Sequence, residues 1–329
     1  MNNSTIEQTS SMVDGPLFVS MIVINAFSAV LATVLNLLII VTFVKTPSLR
    51  TPSNILILSL AITDFCVGAL VQPAYTALLF AVMTNDTVVY QSVHKVLDPA
   101  FVILIWASIL TITFITVDRF LALHLHLRYQ ELVTTKRISM VVFMIWAFSV
   151  LWTCLFVLLG KVTVVISHID NFLFLSILVL TISLMLKISF FIRQHAAQIQ
   201  VQQQAMNAQP GAAGNIKRSV NVMYYILGTF FLCYSPSIVI WIMETFMSKL
   251  EISILVRSIL FMNSSINPII YFWRISDMRN AALQLLRSIR RTNNNHNHNN
   301  NNNNYNNNDN NNNNNNNNTN NNNSRDSNG

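Results

Sequence analysis

Charge is the scarcest property of this chain: Asp, Glu, Lys and Arg make up 10% of 329 residues, against 52% hydrophobic. A soluble domain carries about a quarter charged residues. The shortfall is greater still in the body of the chain, because nearly everything from Asn293 to Asn323 is asparagine. Such a body could not present a water-soluble surface, which excludes a soluble enzyme. Cysteine is scarce as well. Cys66, Cys154 and Cys233 are the full complement, each inside an apolar run, which excludes a disulfide scaffold and a cysteine-based zinc ribbon. The polar residues 1–16 lack the basic and apolar blocks of a cleaved signal peptide, so the first apolar stretch is expected to direct membrane insertion itself. No internal repeat is evident, which argues against an inverted-repeat transporter.

What the chain does have is long apolar runs. A membrane-spanning helix needs about 20 mainly apolar residues, and seven stretches meet that need: 17–44, 53–80, 94–123, 138–160, 170–192, 220–246 and 253–272. The expected architecture is an all-α membrane protein, a seven-transmembrane helix bundle over 17–274. An extracellular N-terminus (1–16) precedes it; an amphipathic eighth helix (275–291) and a disordered Asn-rich cytoplasmic tail (292–329) follow. With the N-terminus outside, only Lys95, Lys161, Lys249 and Arg257 of the 20 basic residues lie in the outer half. The rest fall toward the cytoplasm, as the positive-inside rule requires. The net charge of +7 then reads as attraction to anionic inner-leaflet lipid rather than nucleic-acid binding. Asn2, Asn3 and Asn85 begin N-x-S/T triplets in outer segments and are candidate glycosylation sites. Asn263 also begins one, but inside a span.

Polar groups are costly in a bilayer, about 2.5–3.5 kcal/mol for an aspartate at a helix centre, so those present are candidates for function. Asn36 lies mid-span in the first run and Asp64 in the second, within Leu60-Ala61-Ile62-Thr63-Asp64; Ser108 lies mid-span in the third. Asn263, Ser264 and Asn267 cluster in the seventh, before Pro268 and Tyr271.

These positions carry a resemblance. Asn36, Leu60-Ala61 with Asp64, Asp118-Arg119-Phe120, Trp146, Cys233-Tyr234-Ser235-Pro236 with Phe230 upstream, and Asn267-Pro268-Ile269-Ile270-Tyr271 occur in the order and on the helices of a class A (rhodopsin-like) G protein-coupled receptor. The likeness covers roughly 17–291. It implies a plasma-membrane receptor that converts binding of an extracellular ligand into activation of a heterotrimeric G protein, with no catalysis on the chain itself. Arg119 would pair with Asp118 at rest and turn toward the G protein when helix six opens, with Phe120 and Leu127 at the same coupling face. Phe230, Tyr234, Pro236, Asn267, Pro268 and Tyr271 match the activation switch. Asp64, Ser108, Asn263 and Asn267 match a pocket that holds an allosteric sodium ion in many members; a structural hydrogen-bond network around a protonated Asp64 is the alternative.

Several residues depart from the family pattern. His94 stands where most members have the helix-three cysteine, and the segment from Gly160 to Asp170 has none, so the usual outer disulfide is absent. Helix five lacks proline, Leu186 replaces its expected tyrosine, and Tyr234 replaces the usual tryptophan. The short second outer loop from Gly160 to Asp170, the missing bridge and the missing helix-five proline together resemble the cluster of melanocortin, lysophospholipid, cannabinoid and adenosine receptors. Asn215-Ile216-Lys217 looks melanocortin-like, whereas Asn267 stands where melanocortin receptors have aspartate.

Phe101 occupies the position of the amine receptors' aspartate, which argues against a monoamine ligand and leaves a peptide, a lipid or another non-monoamine. The seventh span has no lysine, which excludes a retinal Schiff base; no cofactor is implied. Asp98, Phe101, Glu244 and Arg257 are the candidate ligand pocket. Arg257 is either the counter-ion of an acidic ligand or an internal partner of Asp98 or Glu244. Trp241 and Phe246 read as interfacial anchors.

Gln198 to Gln204 reads as an extension of helix five, ended by Pro210-Gly211. Residues 275–291 alternate apolar side chains with Arg279, Arg287, Arg290 and Arg291, as suits a helix lying on the inner leaflet. The tail has no apolar surface to bury. Its few serines and threonines offer little to a kinase-controlled arrestin partner, and a metal site at His296 and His298 is outweighed by a solvated tail. A seven-helix channel or transporter, or a non-signalling receptor-like scaffold, are the competing readings.

Overall fold

The computed structural model describes residues 15–125, 128–159, 163–206, 225, 228–229, 231–235, 250–288 and 290–291. Almost all of them are helical. α1 is Gly15–Lys45, followed by a 3-10 turn at Pro47–Leu49. α2 is Pro52–Met83, α3 is Thr87–Leu125, and a single helical turn, Tyr129–Leu132, precedes α4, Thr135–Leu158. α5 is Thr163–Met206, α6 is helical at 231–235, α7 is Leu250–Arg274, and α8 covers 276–288.

Among the described residues, six helices are long and apolar enough to cross a membrane: Phe18–Lys45, Pro52–Met83, Thr87–Leu125, Thr135–Leu158, His168–Phe191 and Ile254–Trp273. The expected span 220–246 lies largely outside the described residues, with Tyr225, Gly228, Thr229 and 231–235 helical within it.

Two helix boundaries differ from the apolar runs, each for a local reason. α3 starts at Thr87 rather than 94 because Asp86 caps it: its Oδ1 accepts the amides of Val88 (3.1 Å) and Val89 (3.0 Å). Pro99 therefore lies inside the helix. α5 is 44 residues long because no glycine or proline between 163 and 206 stops it. The segment Gly160–Asp170, read as an outer loop, is thus helical from Thr163, and Gln198–Gln204 does extend the helix. At the other end of the bundle, Thr51 and Thr134 cap α2 and α4 through the amides of Asn54 and Arg137.

The apolar core of the bundle is built from α1, α2, α3 and α7, where Phe18, Val71, Tyr75, Leu79, Leu97, Leu104, Ile254 and Phe261 are buried together. α2 makes a π-turn at Val67–Val71, and Gly68 in it allows α1 to approach closely. A Cβ there would lie 2.7 Å from Ala32 Cβ and 2.8 Å from the Thr33 amide nitrogen. α4 and α5 keep large apolar side chains exposed, among them Phe143, Leu151, Phe172 and Phe190. In a bilayer that is an ordinary lipid-facing surface; in water it would be untenable.

Polar side chains tie the helices across this core. Asn25 Nδ2 donates to Ser258 Oγ (2.8 Å), Gln72 Nε2 to Ser28 Oγ (3.0 Å), and Ser28 Oγ to Ser265 Oγ (3.3 Å), linking α1, α2 and α7. Trp146 Nε1 reaches Ser59 Oγ at 3.3 Å, joining α4 to α2. Cys66, Cys154 and Cys233 are free thiols.

Candidate functional site

Pro268 explains one end of the central polar layer. Lacking an amide hydrogen, it cannot bond the carbonyl four residues back, that of Ser264. That oxygen instead accepts Asn36 Nδ2 from α1 at 3.0 Å. The broken hydrogen bond in α7 and the mid-span asparagine of α1 are therefore one arrangement: each supplies what the other lacks. One helical turn away, Asn267 Nδ2 donates to Asp64 Oδ2 at 2.8 Å, so the carboxylate of α2 and the amide of α7 meet as the resemblance implied.

Ser108, by contrast, donates to Thr63 Oγ1 at 3.2 Å, the residue beside Asp64. Asn263, Asn267 and Asp64 are at most 2% exposed, and the Oδ1 atoms of Asn263 and Asn267 have no hydrogen-bond partner. The unpaired oxygen of Asn267, whose amide nitrogen bonds the Asp64 carboxylate, has the donor chemistry that suits a hard cation. Tyr271, fully buried in the same helix, likewise leaves its hydroxyl without a partner.

At the end where α3 leaves the bundle, Asp118 is buried and accepts from three donors. Arg119 forms an ion pair with it, Ser53 Oγ donates at 2.8 Å, and Tyr129 OH donates at 2.7 Å. Arg119 also bonds Ser53. The pairing of Asp118 with Arg119 was expected; Ser53, and the use of Tyr129 as a second clamp, were not. Burial and the adjacent carboxylate push the Tyr129 phenol up to about 12, so it remains a donor at neutral pH. Phe120 stacks on His124, ring centroids 5.0 Å apart.

At the opposite end, Arg257 Nη1 lies 3.4 Å from Asp98 Oδ1, and His94 Nε2 lies 3.2 Å from Asp98 Oδ2. The Arg257 guanidinium also sits 5.9 Å from the Tyr75 ring centre and 5.7 Å from that of Phe101, within cation–π range. Of the two alternatives for Arg257, the internal partner of Asp98 is the arrangement found. Asp98, Phe101 and Arg257 are thus brought together. Asn85 is exposed in the tight turn before α3, with a left-handed φ of 57°. Asn2, Asn3, Leu127, Phe230, Pro236 and Glu244 lie outside the described residues, as do Trp241, Phe246 and the 292–329 tail.

A buried carboxylate in mid-bundle lies between a polar cluster at each end of the helices, and comparison with known proteins gives this arrangement a family. The family model of the 7 transmembrane receptor (rhodopsin family) matches residues 35–271. The chain belongs to that family. It is a G protein-coupled receptor rather than an enzyme, a multi-pass plasma-membrane protein whose partners are an extracellular ligand and a G protein.

Among its relatives is melanocortin receptor 4 of Danio rerio, 27% identical over 264 residues, covering 74% of this chain and 77% of the relative. Melanocortin receptor 5 of Homo sapiens is 25% identical over 270 residues (76% and 79%), and that of Rattus norvegicus is 24% identical over 274 (78% and 82%). These relatives fall in the melanocortin part of the expected cluster.

Proposed function

We propose that this receptor senses a non-monoamine ligand from outside the cell and couples to its G protein through the Arg119 face. The observation that carries the reading is the clamp on Arg119: one buried carboxylate, Asp118, held by Arg119, Ser53 and Tyr129. A contact with few, strong, replaceable bonds is what a two-state switch needs. Opening of helix six, with Phe230, Tyr234 and Pro236 as its pivot and Asn267, Pro268 and Tyr271 answering on α7, would release the arginine to the G-protein terminus, beside Phe120 and Leu127. The N-terminus lies outside and the C-terminus inside, with Asn2, Asn3 and Asn85 glycosylated and α8 lying on the inner leaflet.

Asp64, Asn263 and Asn267 would hold a sodium ion that favours the resting state, with Ser108 at its edge; the ion supplies only electrostatic neutralisation. The unpaired asparagine oxygens support that reading. Replacing an inert organic cation with sodium is expected to raise the thermal midpoint of the wild type, and Asp64→Asn to abolish the rise. An equal sodium effect in both proteins would exclude the site.

The coupling reading is tested by guanine-nucleotide exchange on membranes holding the receptor and a heterotrimeric G protein. Receptor-dependent exchange that disappears in Arg119→Ala supports it. Exchange no higher than in receptor-free membranes, with Asp118→Asn equally silent, favours the non-signalling scaffold suggested by Tyr234 and Leu186.

A further inference from the structure

Asp170 stands two residues into the apolar span of α5 that begins at His168. Its Oδ1 accepts two indole hydrogens, from Trp106 Nε1 on α3 at 2.9 Å and from Trp152 Nε1 on α4 at 2.7 Å. The two indoles are themselves packed among aromatic rings. Trp152 meets Trp106 edge-on at 6.0 Å, Phe148 stacks on Trp152 at 6.1 Å, and Phe174 meets Trp106 edge-on at 6.3 Å.

Both hydrogen bonds end on one oxygen. Among the described residues Asp170 pairs with no lysine, arginine or histidine, and none of them donates a hydrogen bond to its Oδ2. The side chain is half-buried, so that oxygen can be reached. Asp98 differs in this respect, because Arg257 and His94 already engage both of its oxygens.

A structural pin does not need the charge. An asparagine oxygen would accept the same two indole bonds, and an amide costs less than a carboxylate to bring into a span. A carboxylate with one open oxygen attracts a compact cation through a charge-assisted hydrogen bond.

We infer that Asp170, Trp106 and Trp152 form a recognition site for an organic cation, an alkylguanidinium or alkylammonium group carried by the ligand. The cation donates an N–H to Asp170 Oδ2 while Oδ1 keeps its two indoles. Phe174 also stacks on Tyr234, 5.8 Å away at an interplanar angle of 26°. An occupant at Asp170 is therefore two ring contacts from α6. That last step rests on the receptor function proposed above; the binding itself does not.

The test uses full-length receptor in nanodiscs and tryptophan fluorescence, titrated with butylguanidinium, butylammonium and the neutral butylurea. The cations are expected to give a saturable change at concentrations at least tenfold below any seen with butylurea. Asp170→Asn, which retains the acceptor for both indoles, is expected to bind them at least tenfold more weakly with an unchanged thermal midpoint. Equal binding of butylurea by the wild type, or undiminished cation binding by Asp170→Asn, overturns the site. Should the variant fail to fold, the wild-type comparison of cation with urea decides alone. No G protein is present, so failure here leaves coupling through Arg119 standing, and the reverse also holds.

Discussion

Asp118 accepts from three donors at once, and removing its charge differs from removing any one donor. A hydrogen bond to a charged group contributes about 1.5–3 kcal/mol, and 1.4 kcal/mol is tenfold in an equilibrium. Asp118→Asn is therefore expected to raise ligand-free nucleotide exchange by about ten- to a hundredfold, in the same membranes in which Arg119→Ala silences it. Tyr129→Phe removes one donor of the three and should raise exchange less than Asp118→Asn does; a larger rise would mean the phenol, not the arginine, holds the rest state. Asn36→Ala tests a different kind of loss. It leaves the Ser264 carbonyl, freed by Pro268, without its Asn36 bond, at a cost of about 1–3 kcal/mol. A thermal midpoint lower by several degrees is expected, and no change would mean that another donor takes over.

The family resemblance implied that Asp64 and Asn267 share a pocket, and adjacency put Arg119 beside Asp118. Neither could bring Trp106 and Trp152 to Asp170, which lie 64 and 18 residues away along the chain and belong to no motif. Asp170 was visible only as the end of an apolar run.

Helix boundaries obey different physics from helix cores. The length of an apolar run reports where lipid and core are met, so it located the six described spans but not where α3 and α5 begin and end. Those limits follow from hydrogen-bond caps and from the absence of breakers, neither of which changes hydropathy. Asp86→Ala should therefore loosen the first turn of α3, costing about 1 kcal/mol, seen as faster amide exchange at Val88 and Val89 with the rest of α3 unaffected. Helix contacts are equally local. Gly68→Ala would drive a methyl group against Ala32 and the Thr33 backbone, and overpacking of this kind costs about 1–3 kcal/mol. Gly15→Ala meets nothing within 4 Å and serves as the control. A thermal midpoint lowered equally by both would refute the close α1–α2 approach.

For the whole molecule, the few basic residues outside the cytoplasmic set made a topology legible before any fold was known, because lysine and arginine cross a membrane at high cost. That topology is testable at Asn85. An N-glycosidase should increase the gel mobility of the wild type, with part of the shift lost in Asn85→Gln; a glycan-free protein from a glycosylating host would count against an outer position for this turn. The same topology gives meaning to the length of α5. His124 of α3 and Phe191 of α5 touch, ring centroids 5.7 Å apart, so both helices leave the apolar region at the same end, yet α5 continues to Met206. At 1.5 Å per residue the extra stretch is about 22 Å long, most of the thickness of a small protein domain. A partner docking at Arg119, as proposed, would have to come in alongside this post, and a bulky tag placed near Gln204 would fence off one side of the approach without touching a single switch residue.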